Sequence, residues 1–295
     1  MKPARFTATQ GTGCRKDSLA ILQEVGDERV LGHAMTGLAM SYLRTGRVEE
    51  AGQVLDRCLF IARKVGDRRL EGFVLDKLGV LCAQSGRVEN AETFLEQAFS
   101  LQLEIEGLRR CGSVLGNMAG LYFSTGRVAM AASTYERAIV LLREMGDRRS
   151  EGIMTANLGV VLAKSGRVDE AEKFYENALA IHRECGDKTA LGSTLGNLAC
   201  LHGRTGRAMR ARGEFEKALV ILREVRDRRL EGSNLCDFAL FLLAEGEVDP
   251  ASAKWRDGVD LLRQTGDTKA LESKRLELVE ACAKAGVPPF DTPGE

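Results

Sequence analysis

Aromatic side chains, proline and long apolar runs are scarce in this 295-residue chain, and each scarcity excludes a class of function. Phe, Trp and Tyr make up 5% of the residues, which weakens any nucleic-acid interpretation that relies on base stacking. Lys plus Arg and Asp plus Glu both number 42, so a formal net charge of zero gives no general attraction to nucleic acid or membranes. No apolar run approaches a membrane span, and residues 1–13 lack the apolar segment of a signal peptide. The sequence therefore predicts a cytoplasmic protein with neither nucleic-acid nor membrane partners.

The eight cysteines contain no Cys-x-x-Cys pair, which argues against a zinc site and against a disulfide framework. We interpret them as small buried side chains in a reducing compartment. His33, His182 and His202 have no Glu or Cys at metal-ligand spacing, and the chain has no phosphate-binding loop or Gly-x-Ser-x-Gly element. The sequence therefore predicts no enzyme, no cofactor and no metal.

Glycine, in contrast, is abundant and periodic, with 32 residues in the chain. Thr-Gly-Arg or Ser-Gly-Arg recurs every 40 residues, and a degraded copy follows at Glu245-Gly246-Glu247. The glycines of the five intact copies are Gly46, Gly86, Gly126, Gly166 and Gly206. A second row keeps the same step: Gly32, Gly72, Gly112, Gly152, Gly192 and Gly232. A fixed period of this size predicts an all-α solenoid, which offers a long binding surface and no single core.

Residues 146–185 show the local chemistry of one unit. Asp147 is a good N-cap for a first helix over about 148–164, and Gly166 can take the left-handed conformation that ends it. A second helix is predicted over about 168–185, antiparallel to the first because the connection is short. The same capping residue recurs at Asp27, Asp67, Asp187, Asp227 and Asp267. Gly152, deep in the first helix, implies that its bare backbone contacts a neighbouring helix.

The order of residues within the unit resembles the tetratricopeptide repeat. That family has Leu-Gly/Ala, an aromatic, a turn Gly, an Ala, a second aromatic and a final Ala. The corresponding residues here are Leu158-Gly159, Leu162, Gly166, Ala171, Tyr175 and Ala178. The resemblance covers roughly residues 14–286, and the unit looks like the 40-residue variety of kinesin light chains, Pins-type adaptors and bacterial signalling proteins. It implies a right-handed superhelix of antiparallel helix pairs, with the first helices lining a concave groove.

The predicted organisation places a disordered segment at 1–13, a repeat array at 14–286 and a tail at 287–295. The array comprises a half repeat (14–25), full repeats (26–65, 66–105, 106–145, 146–185, 186–225, 226–265) and a capping helix (268–285). Lys274 and Arg275 make the capping helix more polar than its sisters, as expected if one face meets water. No first helix precedes the half repeat, so its edge is predicted to be uncapped and open to self-association.

Two rows of residues are candidates for ligand binding in the groove that the resemblance implies. The Asn row, Asn117, Asn157 and Asn197, suits capture of an extended peptide backbone, or else holds a neighbouring helix. The Arg row is Arg29, Arg69, Arg109, Arg149 and Arg229. It suits an acidic or C-terminal carboxylate, or else pairs with the preceding acids Glu104, Glu144 and Glu224. Phe73 and Ile153 are further groove positions, and a second inward row would contain Thr36, Asp76, Gly116, Ala156, Gly196 and Cys236.

These features favour a non-enzymatic scaffold or adaptor that binds a protein or peptide segment in the groove. If the Arg row binds the ligand, that segment is acidic. One alternative is a sensor array split from an effector such as a kinase, nucleotide-binding switch or protease. Another is a structural scaffold that self-associates through the uncapped edge. The sequence leaves these alternatives open.

Overall fold

The computed structural model describes residues 27–44, 47–107 and 111–290, and every regular element in those ranges is helical. Segment 1–13, the half repeat 14–25, Arg109 and residues 291–295 of the predicted tail lie outside the described residues. The helices are α1 (Glu28–Arg44), α2 (Val48–Lys64), α3 (Arg68–Gln84), α4 (Val88–Glu106), α5 (Cys111–Ser124), α6 (Val128–Glu144), α7 (Arg148–Lys164), α8 (Val168–Glu184), α9 (Lys188–Arg204), α10 (Ala208–Glu224), α11 (Arg228–Ala244), α12 (Val248–Thr265) and α13 (Thr268–Ala285). The predicted all-α class is confirmed. None of these helices is long and apolar enough to cross a membrane.

The chain divides into two compact units. The first, Met1–Gly146, contains α1–α6, and the second, Asp147–Glu295, contains α7–α13. Within each unit a first helix packs against the second helix that follows it, and successive first helices also touch. Each unit is thus an array in which a repeat contacts its neighbours.

The first helices begin where the sequence predicts, because an aspartate caps them. The Asp147 carboxylate accepts a hydrogen bond from the Ser150 amide at 3.0 Å. Capping bonds of the same kind are made by Asp27, Asp67, Asp187, Asp227 and Asp267. The turn into the second helix uses Gly166 at φ +80°, the left-handed region that favours glycine. The second helix then starts after Arg167, whose side chain makes no capping bond.

Glycine contacts show that the paired helices are antiparallel. A Cβ added at Gly79 would lie 2.6 Å from Leu95, and one added at Gly72 would lie 3.6 Å from Leu101, so early residues of α3 face late residues of α4. The predicted contact of Gly152 with a neighbouring helix is confirmed, and it is made with a side chain of that helix. A Cβ there would meet the side chain of Ile181 at 2.8 Å.

The neighbours of Gly32, Gly72, Gly112 and Gly192 within 3.4 Å are also side chains. At Gly232 alone in this described row, a backbone atom comes that close: an added Cβ would lie 3.0 Å from the Gly258 carbonyl oxygen. Because these glycines have no Cβ, a side chain of the opposing helix can pack directly against their backbone.

Burial confirms most predictions about core residues. Trp255 is 1% exposed in the core of the second unit. Five cysteines are buried as interpreted from the sequence: Cys58, Cys82, Cys111, Cys236 and Cys282. Cys185, which follows the last turn of α8, is exposed, however, and Cys200 is half-buried. Cys14 lies outside the described residues.

Candidate functional site

In the second unit, helices α7, α9 and α11 each present a partly exposed stripe with the spacing i, i+4, i+7 and i+11. We call these residues the groove face. They are Ile153, Asn157, Val160 and Lys164 on α7, Ser193, Asn197, Cys200 and Arg204 on α9, and Ser233, Asp237, Leu240 and Ala244 on α11. This spacing keeps the four side chains of each helix on one side.

Five of the six residues in the second inward row predicted from the sequence are buried and do not line a groove, whereas Thr36 is half-buried. Gly196 and Cys236 are among the buried five. A Cβ added at Gly196 would lie 1.9 Å from Asn234 Oδ1 on α11. In the first unit, Asp76 and Gly116 are buried as well. The small residues of this row set the close approach of stacked first helices.

The Asn row divides between the two roles that the sequence left open. The Asn117 amide donates to the buried Asp76 carboxylate at 2.6 Å, and Lys77 Nζ lies 2.7 Å from the same carboxylate. Asn117 therefore joins α5 to α3. Asn157 and Asn197, by contrast, are half-buried, and their amides make no hydrogen bond within the described residues.

The Arg row pairs with capping aspartates of the following repeat. Arg149 Nε lies 2.7 Å from Asp187 Oδ2, and Arg229 Nη1 lies 3.5 Å from Asp267 Oδ2. In the first unit, Arg29 Nε lies 3.4 Å from Asp67 Oδ2. The guanidinium groups are more than half exposed, so each pair is of the weak, solvated kind. Arg69 is exposed, and Arg109 lies outside the described residues.

Two of the three acids expected to neutralise the Arg row are held by other cations. Glu104 pairs with Arg68 at 2.5 Å, and Glu224 pairs with Lys188 at 2.5 Å. The expected pairing with a preceding acid is wrong for Arg149 and Arg229, because each reaches a capping aspartate of the following repeat instead.

Phe73 and Ile153 start the groove stripe of α3 and α7. Phe73 is half-buried, with Lys77 Nζ 5.2 Å from the ring centroid. Ile153 is exposed, one turn before Asn157. A cation over an aromatic face is a favourable contact on a surface.

A pocket of about 360 Å³, which was not predicted from the sequence, opens on the groove face of the second unit. Its apolar wall includes Tyr175, Phe215, Leu240 and Phe241, and the Asn197 amide lines it as well. Five charged residues also line it: Lys164, Arg204, Asp237, Lys274 and Glu277. An apolar cavity with a few convergent polar groups is the usual form of a binding site.

Lys274 organises the charges of this pocket. Its Nζ lies 2.5 Å from Asp237 Oδ1 and 3.2 Å from Glu277 Oε2. Burial raises the pKa of Asp237 despite the lysine, and the carboxylate in turn raises the pKa of Lys274 against the effect of burial. Burial also raises the pKa of the Cys200 thiol, which keeps it protonated and unreactive. Lys274 was expected to face water, but the Asp237 carboxylate on α11 draws it inward.

Two histidines that the sequence predicted to be ordinary surface or core residues are buried in unusual surroundings. The ring of His202 is held between Glu214 at 2.7 Å and Glu172 at 3.0 Å. His182 is 1% exposed, and neither ring nitrogen has a hydrogen-bond partner. Repeat alignment could have identified both, because no sister repeat carries histidine at these positions and several carry leucine: Leu162 and Leu242 for His202, and Leu142, Leu222 and Leu262 for His182. The described residues contain no group of His, Cys, Asp and Glu suited to hold a metal.

This chain belongs to the tetratricopeptide repeat family. One model of that family matches residues 30–104 and 150–231, and a second matches residues 114–149. A search of curated proteins gives no significant match.

Three similar solved structures each align with 92% of this chain. Aspartyl phosphate phosphatase F from Bacillus subtilis has 13% identity, a TM-score of 0.73 and 70% of its own chain covered. A Rap protein complexed with competence and sporulation factor has 14% identity, a TM-score of 0.68 and 80% coverage. A signal transduction ATPase with a tetratricopeptide repeat sensor, from Pyrococcus horikoshii, has 17% identity, a TM-score of 0.67 and 46% coverage. At these identities the likeness shows the fold.

Proposed function

We propose that this chain is a non-enzymatic scaffold or adaptor whose second unit binds an extended protein or peptide segment across the groove face. The observation that carries the proposal is the pair Asn157 and Asn197. Both amides are half-buried on successive first helices and make no hydrogen bond in the described part of the chain. A side-chain amide both donates and accepts, which matches the two polar groups of a peptide backbone.

Family membership and one structural neighbour support this function. The Rap protein was solved in complex with a factor, so a protein of this fold holds a ligand. The free cysteines of the described residues, seven in number, support a reducing and hence cytoplasmic location. For the Arg row, a role in anchoring an acidic ligand stays a prediction, since Arg29, Arg149 and Arg229 already form ion pairs with capping aspartates.

A selection experiment tests the proposal. The full chain is immobilised and exposed to a displayed pool of random twelve-residue peptides, and the double variant Asn157→Ala/Asn197→Ala is treated in parallel. We expect the wild type to enrich a peptide family that the double variant does not retain. Asn177→Ala is the matched control, because Asn177 is exposed on the second helix α8.

Circular dichroism must show equal helicity in the three proteins. Enrichment of the same peptides by the double variant, or no enrichment by the wild type, would contradict groove binding through the amides.

A sensor array acting on a separate effector is the second candidate. The observation that favours it is the alignment with 46% of an ATPase described as carrying a tetratricopeptide repeat sensor. To test it, the affinity between this chain and a purified effector encoded by the neighbouring gene is measured with and without the enriched peptide. If the sensor hypothesis holds, the peptide changes that affinity. Self-association through residues 14–25 concerns residues that the structure does not describe, and light scattering over a concentration series tests it.

A further inference from the structure

We propose that the pocket of the second unit accepts one large apolar side chain of the bound segment, beside a carboxylate of the same segment. The ligand is then an acidic peptide with an aromatic or long aliphatic anchor. This inference rests on the proposed function and deepens it by naming the ligand chemistry.

The pocket exists because α9 and α11 depart from the repeat. Ala244 ends α11 at a position where the other first helices before it carry Arg44, Gln84, Ser124, Lys164 and Arg204. Gly203 is likewise the one glycine at its position, where the sister repeats carry Leu43, Ala83, Phe123, Ala163 and Leu243. A Cβ at Gly203 would lie 2.8 Å from Phe241 Cδ2, so glycine is what lets the Phe241 ring line the cavity. Both departures remove side-chain volume from one place.

The apolar wall suits a ring or a long aliphatic chain. Phe241 and Phe215 lie with ring centroids 5.8 Å apart, and Tyr175 and Leu240 complete the wall. Aromatic rings prefer such offset neighbours over an aqueous face. A volume of about 360 Å³ is at the lower end for a ligand pocket, which fits one side chain better than a large free ligand.

The charges indicate which residues flank the anchor. The lining carries three cations, Lys164, Arg204 and Lys274, against two carboxylates, Asp237 and Glu277. Both carboxylates are held by Lys274. Lys164 and Arg204 have no ion-pair partner among the described residues. Two cations that make no salt bridge, beside a partly desolvated cavity, favour an acidic group on the occupant.

The Asn197 amide makes a peptide the occupant that fits best. It lines the same pocket and has no partner within the described residues, so it can hold the backbone next to the inserted side chain. A fatty acid would also present an apolar chain and a carboxylate, but it has no amide for Asn197 to bind.

The test begins with peptides enriched by the full-length wild type. We expect their aligned sequences to share one large apolar residue with Asp or Glu next to it. The binding of a synthetic consensus peptide to the wild type and to Ala244→Gln is then compared by fluorescence polarisation. The variant places a glutamine at the pocket mouth, as the repeat with Gln84 has at the equivalent position. Filling the pocket should weaken binding about ten- to hundredfold. Exchanging the apolar residue of the peptide for Ala should weaken binding to the wild type but not to this variant.

Matched variants separate size from charge. Ala180→Gln adds the same side chain at an exposed position of α8 and should leave affinity unchanged. Lys164→Ser/Arg204→Ser should remove the acidic preference, whereas Arg183→Ser, at an exposed cation of α8, should not.

Four results would overturn the inference. Selected peptides without the apolar–acidic pair, but still lost by the asparagine variant, leave groove binding intact and reject this pocket. Binding of the consensus peptide to Ala244→Gln with the affinity of the wild type would also reject this pocket and leave groove binding intact. Thermal stabilisation of the wild type by dodecanoate, abolished in Ala244→Gln, would assign the pocket to a lipid. An absence of any enrichment rejects the proposed function as well.

Discussion

At the residue scale, His182 is the clearest misfit in the core. It is 1% exposed with both ring nitrogens unpartnered, and burial lowers its pKa below the usual value. The unfolded chain therefore binds a proton that the folded chain resists, and stability falls as the pH drops below about 6.5. Above that pH both states hold the neutral ring and this effect vanishes.

We expect His182→Leu to raise the free energy of unfolding by about 1–3 kcal/mol, because an unsatisfied polar group is replaced by the apolar residue of the sister repeats. The gain should be larger at pH 5.5 than at pH 7.5, as measured by urea denaturation at both values. An equal gain at the two pH values would mean that the folded protein accommodates the charged ring.

Arg149 tests whether the Arg row serves the fold or a ligand. Burial raises the pKa of Asp187, but the Ala190 amide and the Arg149 guanidinium outweigh it, so the carboxyl pKa is lowered. That stabilisation is present above pH 3.8 and is lost as the pH falls through the lower folded-state value.

Arg149→Ala should therefore reduce stability at pH 7, by no more than about 1 kcal/mol because the guanidinium is exposed. The difference from the wild type should shrink as the pH falls below 3.8. Arg183→Ala is the control cation, and thermal unfolding is the measurement. Peptide affinity should be unchanged, whereas a large loss of affinity would restore the ligand role.

At the element scale, helix pairing depends on which glycines face a neighbour. A Cβ at Gly232 would lie 3.0 Å from the Gly258 carbonyl, whereas one at Gly213 meets nothing within 4 Å. We expect Gly213→Ala to stabilise α10 by about 0.5–1 kcal/mol and Gly232→Ala to destabilise the α11–α12 pair. Melting temperatures of the two variants give the comparison, and equal stabilisation by both would show that α11 and α12 can separate without cost.

The same scale explains which predictions succeeded. Asp147 and Gly166 act on their own turns, so the bounds of α7 and the start of α8 followed from local sequence. The partner of Arg149 lies in the next repeat, and the burial of Gly196 depends on how α11 is rotated over α9. Such relations arise from stacking and have no local pattern. The pocket was missed for the same reason, since Gly203 matters only through Phe241.

At the scale of the whole molecule, the chain is built from repeats, and each repeat contacts the repeats next to it in sequence. An array of this kind holds its stability in the repeats and their interfaces, so part of it can fold when its own interfaces are intact. The second unit contains the groove face, the pocket and the core around Trp255 within Asp147–Glu295.

We therefore expect residues 147–295, produced alone, to be helical, to unfold cooperatively and to bind the selected peptide with affinity within about threefold of the full chain. Circular dichroism, urea denaturation and fluorescence polarisation make the comparison. A folded fragment that binds weakly would move part of the ligand site to the first unit. An unfolded fragment would show that α7 needs more than its Asp147 cap to begin the array.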